Sequence, residues 1–129
     1  MSINQSKDHK VALERSYESA FFFDGIHGNA IINKDSHWVV VNNELCRLLC
    51  LDKNALDRLK WHNLIDPEHQ ENDQNIFNLI ISGDTPHISF ETKIVRLDGV
   101  TITVHMSLFK LNIKSSESHL GMQIRDITY

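Results

Sequence analysis

The chain has 129 residues, of which 41% are hydrophobic and 23% are charged, and its net charge is −4. This is the size and composition of one globular domain. Because Lys and Arg do not outnumber Asp and Glu, the composition argues against a nucleic-acid-binding protein, which needs a basic surface to neutralise phosphates. The longest apolar runs, Ala20–Phe23 and Trp38–Val41, fall far short of the ~20 residues that span a membrane. The polar N-terminus has no signal-peptide core, so we expect a cytoplasmic protein.

The first elements are a helix and two strands. Apolar side chains at helical spacing predict an N-terminal helix within residues 8–21, on which one face carries Leu13, Tyr17, Ala20 and Phe21. Ala30–Ile32 and Trp38–Val41 have the β-branched and aromatic content of strands, with a turn between them at Lys34–Ser36.

Helices come next in the chain. Asn42 or Asn43 can cap a short helix that carries Leu45, Leu48 and Leu49, and Asp52 can cap a further turn that carries Leu56 and Leu59. The strongest helix signal is Asp66-Pro67, a capping residue followed by proline at the first helical position. We expect this longer helix to run to about Ser82, to close at Gly83 and to expose its polar first half, Glu68–Asn75.

In the rest of the chain, the side chains of the two faces alternate with the two-residue period of a strand. Phe90, Thr92 and Ile94 begin the pattern, and it resumes after Asp98-Gly99, where both residues tolerate the positive φ of a tight hairpin. The return strand places Ile102, Val104, Met106 and Leu108 on one face and Thr101, Thr103, His105, Ser107 and Phe109 on the other. A polar loop then leads to a last strand in residues 119–127.

Four segments in this order resemble the PAS domain family: Asp35–Asn42 with its closing Asn, Leu64–His69, the hairpin Leu97–Gly99 and Arg125–Thr128. Ser36 and Cys50 stand where the family often has Gly, and Asp66 replaces its His. The resemblance covers roughly residues 20–129. It implies an α+β fold, with a five-stranded antiparallel sheet in the order 2-1-5-4-3 and the short and longer helices on one face. We therefore divide the chain into an N-terminal helix, residues 1–20, and a PAS domain, residues 21–129.

Motifs for catalysis and metal binding are missing from the sequence. We find no nucleophile elbow, no phosphate-binding glycine loop and no His-Glu-x-x-His, so we do not expect an enzyme. The eight histidines include no two within four residues of each other, and we expect no metal site. Cys46 and Cys50 share a helical face, where they could hold a metal or oxidise, but we interpret them as small apolar residues.

The cofactors of known PAS domains fit this sequence poorly. Haem-binding members carry an axial His within the longer helix, where this chain has only His69 in the first turn, followed by Glu71–Asn75. Cys46-Arg47-Leu48-Leu49 is superficially similar to the flavin-binding photosensor motif, but it lies directly after the second strand and lacks the motif's Asn and Gln. Haem and a covalent flavin are therefore disfavoured, and the ligand stays unidentified.

A pocket, if the domain has one, should lie between the longer helix and the apolar sheet face. Its lining would be Phe77, Ile80, Phe90, Thr92, Ile94, Met106, Leu108, Met122 and Ile124, a set that could equally be plain core. On the opposite face we expect Phe109 to be exposed and to need cover, which we expect from both the N-terminal helix and a second copy, in a homodimer. Arg125, Asp126 and Thr128 would couple the last strand to an output domain beyond Tyr129.

We therefore predict a sensory domain that binds a small molecule or a partner. It would relay a signal to an attached output domain, a histidine kinase or a cyclic-dinucleotide enzyme, in a longer parent protein. One alternative is a ligand-free homodimerisation module. The other is a small cone-shaped enzyme of the ketosteroid-isomerase type, which needs a buried acid and has its helices before its sheet. Two strands precede the longer helix here, and the inward faces we assign carry no Asp or Glu.

Overall fold

The computed structural model describes residues 27–111 and 118–128. Its strands are β1 (Gly28–Asn33), β2 (Trp38–Val41), β3 (His87–Val95), β4 (Thr101–Lys110) and β5 (His119–Asp126). Its helices are α1 (Asn43–Leu49), α2 (Lys53–Leu56) and α3 (Gln70–Ile81), with a 3₁₀ helix at Trp61–Leu64. The predicted helix within residues 8–21 lies outside the described residues. No helix in the described part of the chain has the length and apolar character to cross a membrane.

The five strands form one antiparallel sheet in the order β2-β1-β5-β4-β3, which confirms the predicted fold. The last strand of the chain pairs with the first, from Gly28↔Ile124 to Asn33↔His119, so β1 and β5 lie inside the sheet. Helix α1 packs on β1, and α3 packs across β3, β4 and β5. The main core cluster takes its buried side chains from the helices and from the sheet.

The closing Asn42 joins helix α1 to β1 through one side chain. Its Oδ1 accepts hydrogen bonds from the backbone N–H of Leu45, at 2.9 Å, and of Asn29, also at 2.9 Å. Its Nδ2 donates to the carbonyl of His27 at 2.9 Å. Asn42 therefore caps α1 and at the same time holds the start of that helix to β1.

Two of the departures from the family pattern occupy strained positions. Ser36 has φ of 67° and Cys50 has φ of 56°, both in the left-handed region. Cys50 ends α1, and its N–H donates to the Arg47 carbonyl at 3.2 Å. A glycine would adopt this conformation without the steric cost that a side chain brings.

The hairpin between β3 and β4 has a three-residue loop, Leu97–Gly99, in which only Gly99 has positive φ. Asp98 tolerates that conformation but does not adopt it. The Asp98 carboxylate instead accepts hydrogen bonds from the Val100 N–H at 3.1 Å and from the Arg96 Nη2 at 2.6 Å. The pKa of Asp98 is lowered by the hydrogen bond from Arg96, and the Val100 N–H adds to the effect.

Helix α3 begins later than the sequence predicts. Asp66 accepts a hydrogen bond from the Glu68 N–H at 2.9 Å, but residues 67–69 form a turn, and the helix starts at Gln70. It ends as predicted, with Gly83 in the left-handed conformation at φ of 86°. The expectation that residues 68–75 would be largely exposed is wrong at one position, because Asp73 is completely buried.

On the outer face of the sheet, Phe109 is half-buried, which corrects the expectation of an exposed aromatic. Its ring lies over Gly121 on the neighbouring strand, where an added Cβ would be 2.2 Å from the ring. The ring also packs against a small outer cluster of Ile31, Val40 and Leu111. The sheet face therefore provides part of the cover that Phe109 needs.

Candidate functional site

The structure places the predicted pocket residues together in the interior. Phe90 is half-buried and packs against the core, and the other members are buried: Phe77, Ile80, Thr92, Ile94, Met106, Leu108, Met122 and Ile124. They come from α3 and from β3, β4 and β5. Alternation along each strand and the 3.6-residue period of α3 bring them onto facing surfaces. These apolar side chains alone do not distinguish a ligand site from an ordinary core. The polar groups near them do.

An ionisable group lies among these apolar side chains. The carboxyl of Asp73 on α3 is 0% exposed, and it accepts a hydrogen bond from the hydroxyl of Thr92 on β3, which is 1% exposed. Asn72 Nδ2 approaches the same carboxyl at 3.4 Å. Asp73 therefore ties the longer helix to the edge strand of the sheet through a buried polar contact.

Burial raises the pKa of Asp73 above its ordinary value, because the charged form loses its hydration. The hydrogen bonds from Thr92 and Asn72 oppose this rise, since they stabilise the carboxylate. Positive charge on His69 and His62 opposes it further. The protonated and ionised forms of this carboxyl differ in the hydrogen bonds they can make, since only the protonated form donates one.

The 3₁₀ helix brings further polar atoms into the interior. Trp61 is 1% exposed, and its ring packs on Phe77 with the ring centroids 6.4 Å apart. Phe77 lies one helical turn after Asp73. Neither Trp61 Nε1 nor His62 Nδ1 has a hydrogen-bond partner among the described residues, although both atoms are buried. Buried polar atoms of this kind are uncommon in folded proteins, and they are groups to which a ligand or an ordered water can bind.

Sequence reasoning missed Asp73 and Trp61. For Asp73 a signal was present, since positions 73, 77 and 80 share one helical face, and the apolar stripe of Phe77 and Ile80 leads directly back to it. The polar composition of residues 68–75 obscured this geometry. Trp61 reaches the interior because the 3₁₀ helix packs against α3. This packing leaves no periodic pattern in the sequence.

The predicted relay residues lie at the end of β5. Thr128 Oγ1 accepts a hydrogen bond from the Thr103 N–H at 2.9 Å, and Asp126 Oδ1 accepts one from the Thr128 N–H at 2.8 Å. Ile127 N–H donates to the Thr103 carbonyl at 2.9 Å. The Asp-Ile-Thr segment thus continues the pairing with β4 beyond the last ladder residue. Arg125 is exposed on the outer face, beside His105 of β4.

The cysteines and histidines of the described residues form no metal site. Cys46 and Cys50 are free thiols, and burial raises the pKa of Cys46, which makes its reactive thiolate scarcer. Across residues 27–111 and 118–128, no three side chains of His, Cys, Asp or Glu are grouped so that they could hold a metal ion. His69, the position we considered for haem, lies at the N-terminal cap of α3.

Residues 24–129 match the sequence profile of the PAS domain family. The chain belongs to the PAS domain family. Solved PAS domains share its fold at low sequence identity. The PAS domain of an HTR-like protein from Haloarcula marismortui superposes with a TM-score of 0.69 at 21% identity, covering 95% of this chain and 99% of that one. A PAS domain from a two-component sensor histidine kinase gives 0.68 at 15% identity, covering 88% and 97%.

A third match is a domain of the sensory box sensor histidine kinase/response regulator from Geobacter sulfurreducens. It has a TM-score of 0.66 at 18% identity, and the match covers 86% of this chain and 92% of that one. No curated protein sequence matches this PAS domain significantly. PAS domains are generally sensory or regulatory modules, and among the structural neighbours are domains of sensor kinases.

Proposed function

We propose that this PAS domain is a cytoplasmic sensory module that binds a small molecule in its interior, next to Asp73 and Thr92, and relays the event to an attached output domain. One observation carries the proposal: a buried, ionisable carboxyl bridges α3 and β3 within a largely apolar core. Isolated polar groups in an apolar enclosure are typical of small-molecule sites, where they orient the ligand. A plain core would be better stabilised by an apolar side chain at position 73.

The chemistry of these groups limits the ligand. Trp61 Nε1 can only donate a hydrogen bond, whereas the Asp73 carboxyl accepts one when ionised and donates one when protonated. The surrounding side chains, such as Phe77 and Met106, are apolar. A small, mostly apolar molecule with one or two hydrogen-bonding groups matches this environment. A partner segment that inserts one side chain would meet the same groups.

The contact between Asp73 and Thr92 also offers a route for the signal. A ligand that bonds to either side chain competes with their mutual hydrogen bond, and so loosens α3 from β3. Strand β3 pairs with β4 along its whole length, and β4 pairs with β5, whose end is held by Thr103 and Thr128. The ligand shifts this equilibrium only by the difference in its affinity for the two arrangements. A histidine kinase or a cyclic-dinucleotide enzyme would be the output domain.

Native mass spectrometry of the purified protein tests the proposal. We expect the folded protein to carry an additional mass that is lost on denaturation, and Asp73→Ala to reduce its occupancy. The matched control is Asp57→Ala, which removes an exposed carboxylate at the end of α2. An absorbance spectrum of the same sample would reveal haem or flavin. A folded mass equal to that of the bare chain, in both wild type and Asp73→Ala, would contradict ligand binding.

A mass equal to two bare chains would favour the alternative, a ligand-free homodimerisation module. What favours a homodimer is the half-buried Phe109 on the outer sheet face, since the apolar cluster beside it is already buried within the chain. Light scattering at several protein concentrations measures the association directly. A monomer at high concentration would exclude the homodimer for this chain.

The buried acid also bears on the enzyme alternative. The expectation that the inward faces carry no Asp or Glu is wrong, because Asp73 faces inward. A buried acid is what an isomerase of the cone-shaped fold requires. The sheet order and the two strands before α3 are nevertheless those of a PAS domain, and so the sensory function is the one we propose.

A further inference from the structure

The outer face of the sheet, opposite the interior site, has a hollow. It measures about 140 Å³ and is lined by His27, His105, Ser107, Gln123 and Arg125. Four of its lining residues lie on the paired strands β4 and β5, where His105 is opposite Arg125 and Ser107 is opposite Gln123. His27 closes the hollow from the residue before β1. Strand pairing therefore fixes the positions of the four lining residues on β4 and β5.

All five lining side chains carry a hydrogen-bond donor, although the Ser107 hydroxyl also forms a hydrogen bond with that of Ser89 at 2.9 Å, in which either can be the donor. Arginine, glutamine and serine carry N–H or O–H groups, and histidine carries at least one N–H in either protonation state. No carboxylate lines the hollow within the described part of the chain. The nearest acid along the strand ladder is Glu91, which is opposite His105 on the side away from Arg125. Asp126 projects from the other face of β5.

Arg125 differs from two other arginines of the domain. Arg47 and Arg96 form ion pairs with Glu44 and Asp98. Arg125 has no ion pair or side-chain hydrogen bond with any residue in 27–111 or 118–128, although it lies between polar neighbours. A guanidinium presents a planar fork of N–H groups that matches the two oxygens of a carboxylate or phosphate. Its fork is thus available to an anion.

We propose that this hollow binds a small free oxyanion, a phosphate or a carboxylate, with Arg125 as the principal contact and His105, Ser107 and Gln123 as further donors. The hollow, at about 140 Å³, has room for a small anion of this kind. The site lies at the end of β5, directly before the Asp-Ile-Thr segment. This proposal does not rest on the proposed interior ligand.

Titration of the ¹⁵N-labelled protein with sodium phosphate and with sodium malonate, followed by NMR, tests the site. Sodium chloride at matched ionic strength serves as the reference, because it reproduces general screening without an oxyanion. We expect saturable shifts of the backbone amides of His105, Ser107, Gln123 and Arg125 with at least one of the two anions. Shifts that do not saturate, or that chloride reproduces, would overturn the proposal.

Two variants sharpen the test. Arg125→Gln should weaken binding at least about tenfold, the loss expected for one charge-assisted contact. Gln123→Glu should do the same by placing a negative charge in the hollow. The matched control is Arg58→Gln, which removes an exposed positive charge beyond α2 and should leave the affinity within about twofold. Equal losses in Arg125→Gln and Arg58→Gln would show a response to net charge only, and would refute the site.

Discussion

Asp73 and Thr92 are separated by 19 residues in the chain, yet the Thr92 hydroxyl donates a hydrogen bond to the Asp73 carboxyl in the interior. The contact connects the longer helix of the PAS domain to its edge strand. Because the carboxyl is buried and its pKa is raised, the contact makes stability depend on pH.

We expect Asp73→Asn to remove this pH dependence. The folded protein holds the Asp73 proton more tightly than the unfolded chain, whose ordinary pKa is 3.8. The cost of burying the charge is therefore fully present above the raised pKa, and it disappears as the pH falls through that value toward 3.8. At pH ~7.5 Asp73→Asn should be more stable than wild type by about 1 kcal/mol, with an advantage that shrinks on acidification.

Urea denaturation at several pH values measures this difference. Asp57→Asn, which changes an exposed carboxyl, should show the wild-type profile. If Asp73→Asn and wild type keep a constant difference in the free energy of unfolding over the whole pH range, Asp73 does not titrate as the burial of its carboxyl requires.

Thr92→Val should destabilise the domain at neutral pH by about 1–3 kcal/mol, because it leaves a buried carboxyl without its principal donor. Thr92→Ser should restore most of the loss, since the hydroxyl is retained. Thr101→Val, at an exposed position of β4, is the control and should change the free energy of unfolding by no more than about 0.5 kcal/mol. Equal effects at positions 92 and 101 would contradict the structure.

Gly121→Ala should destabilise the domain by about 1–3 kcal/mol, because the new methyl group would overlap the Phe109 ring. The same substitution in a Phe109→Ala background should cost close to nothing, since the space above position 121 is then open. A double-mutant cycle on the free energy of unfolding measures this coupling. Additive effects of the two substitutions would show that the ring does not lie over Gly121.

Cys50→Gly should stabilise the domain by about 0.5–1 kcal/mol, since glycine adopts the left-handed conformation at the end of α1 without strain. Ser36→Gly should act in the same direction for the same reason. Cys46→Gly is the control. It places glycine inside the right-handed helix and should destabilise by about 1 kcal/mol. Thermal unfolding distinguishes the two signs, and a destabilised Cys50→Gly would contradict the backbone assignment.

Local patterns predicted most of the fold. The alternation in β3 and β4, the Asp52 cap of α2 and the closing Gly83 are visible in short stretches of sequence, because each depends on neighbours within a few residues. The start of α3 and the loop of the hairpin were predicted less well. In both, several local conformations suit the same residues, and the choice depends on hydrogen bonds made by Asp66 and Asp98.

The sequence by itself determined the family, the strand order that the family implies, and the apolar faces that meet in the core. Only the tertiary structure decided that Asp73 faces inward, that Phe109 covers Gly121, and that Arg125 lies beside His105 over a polar hollow. The reason is physical. Periodicity states which residues share a face, but the environment of a side chain depends on segments that are distant in sequence and are brought together only by folding.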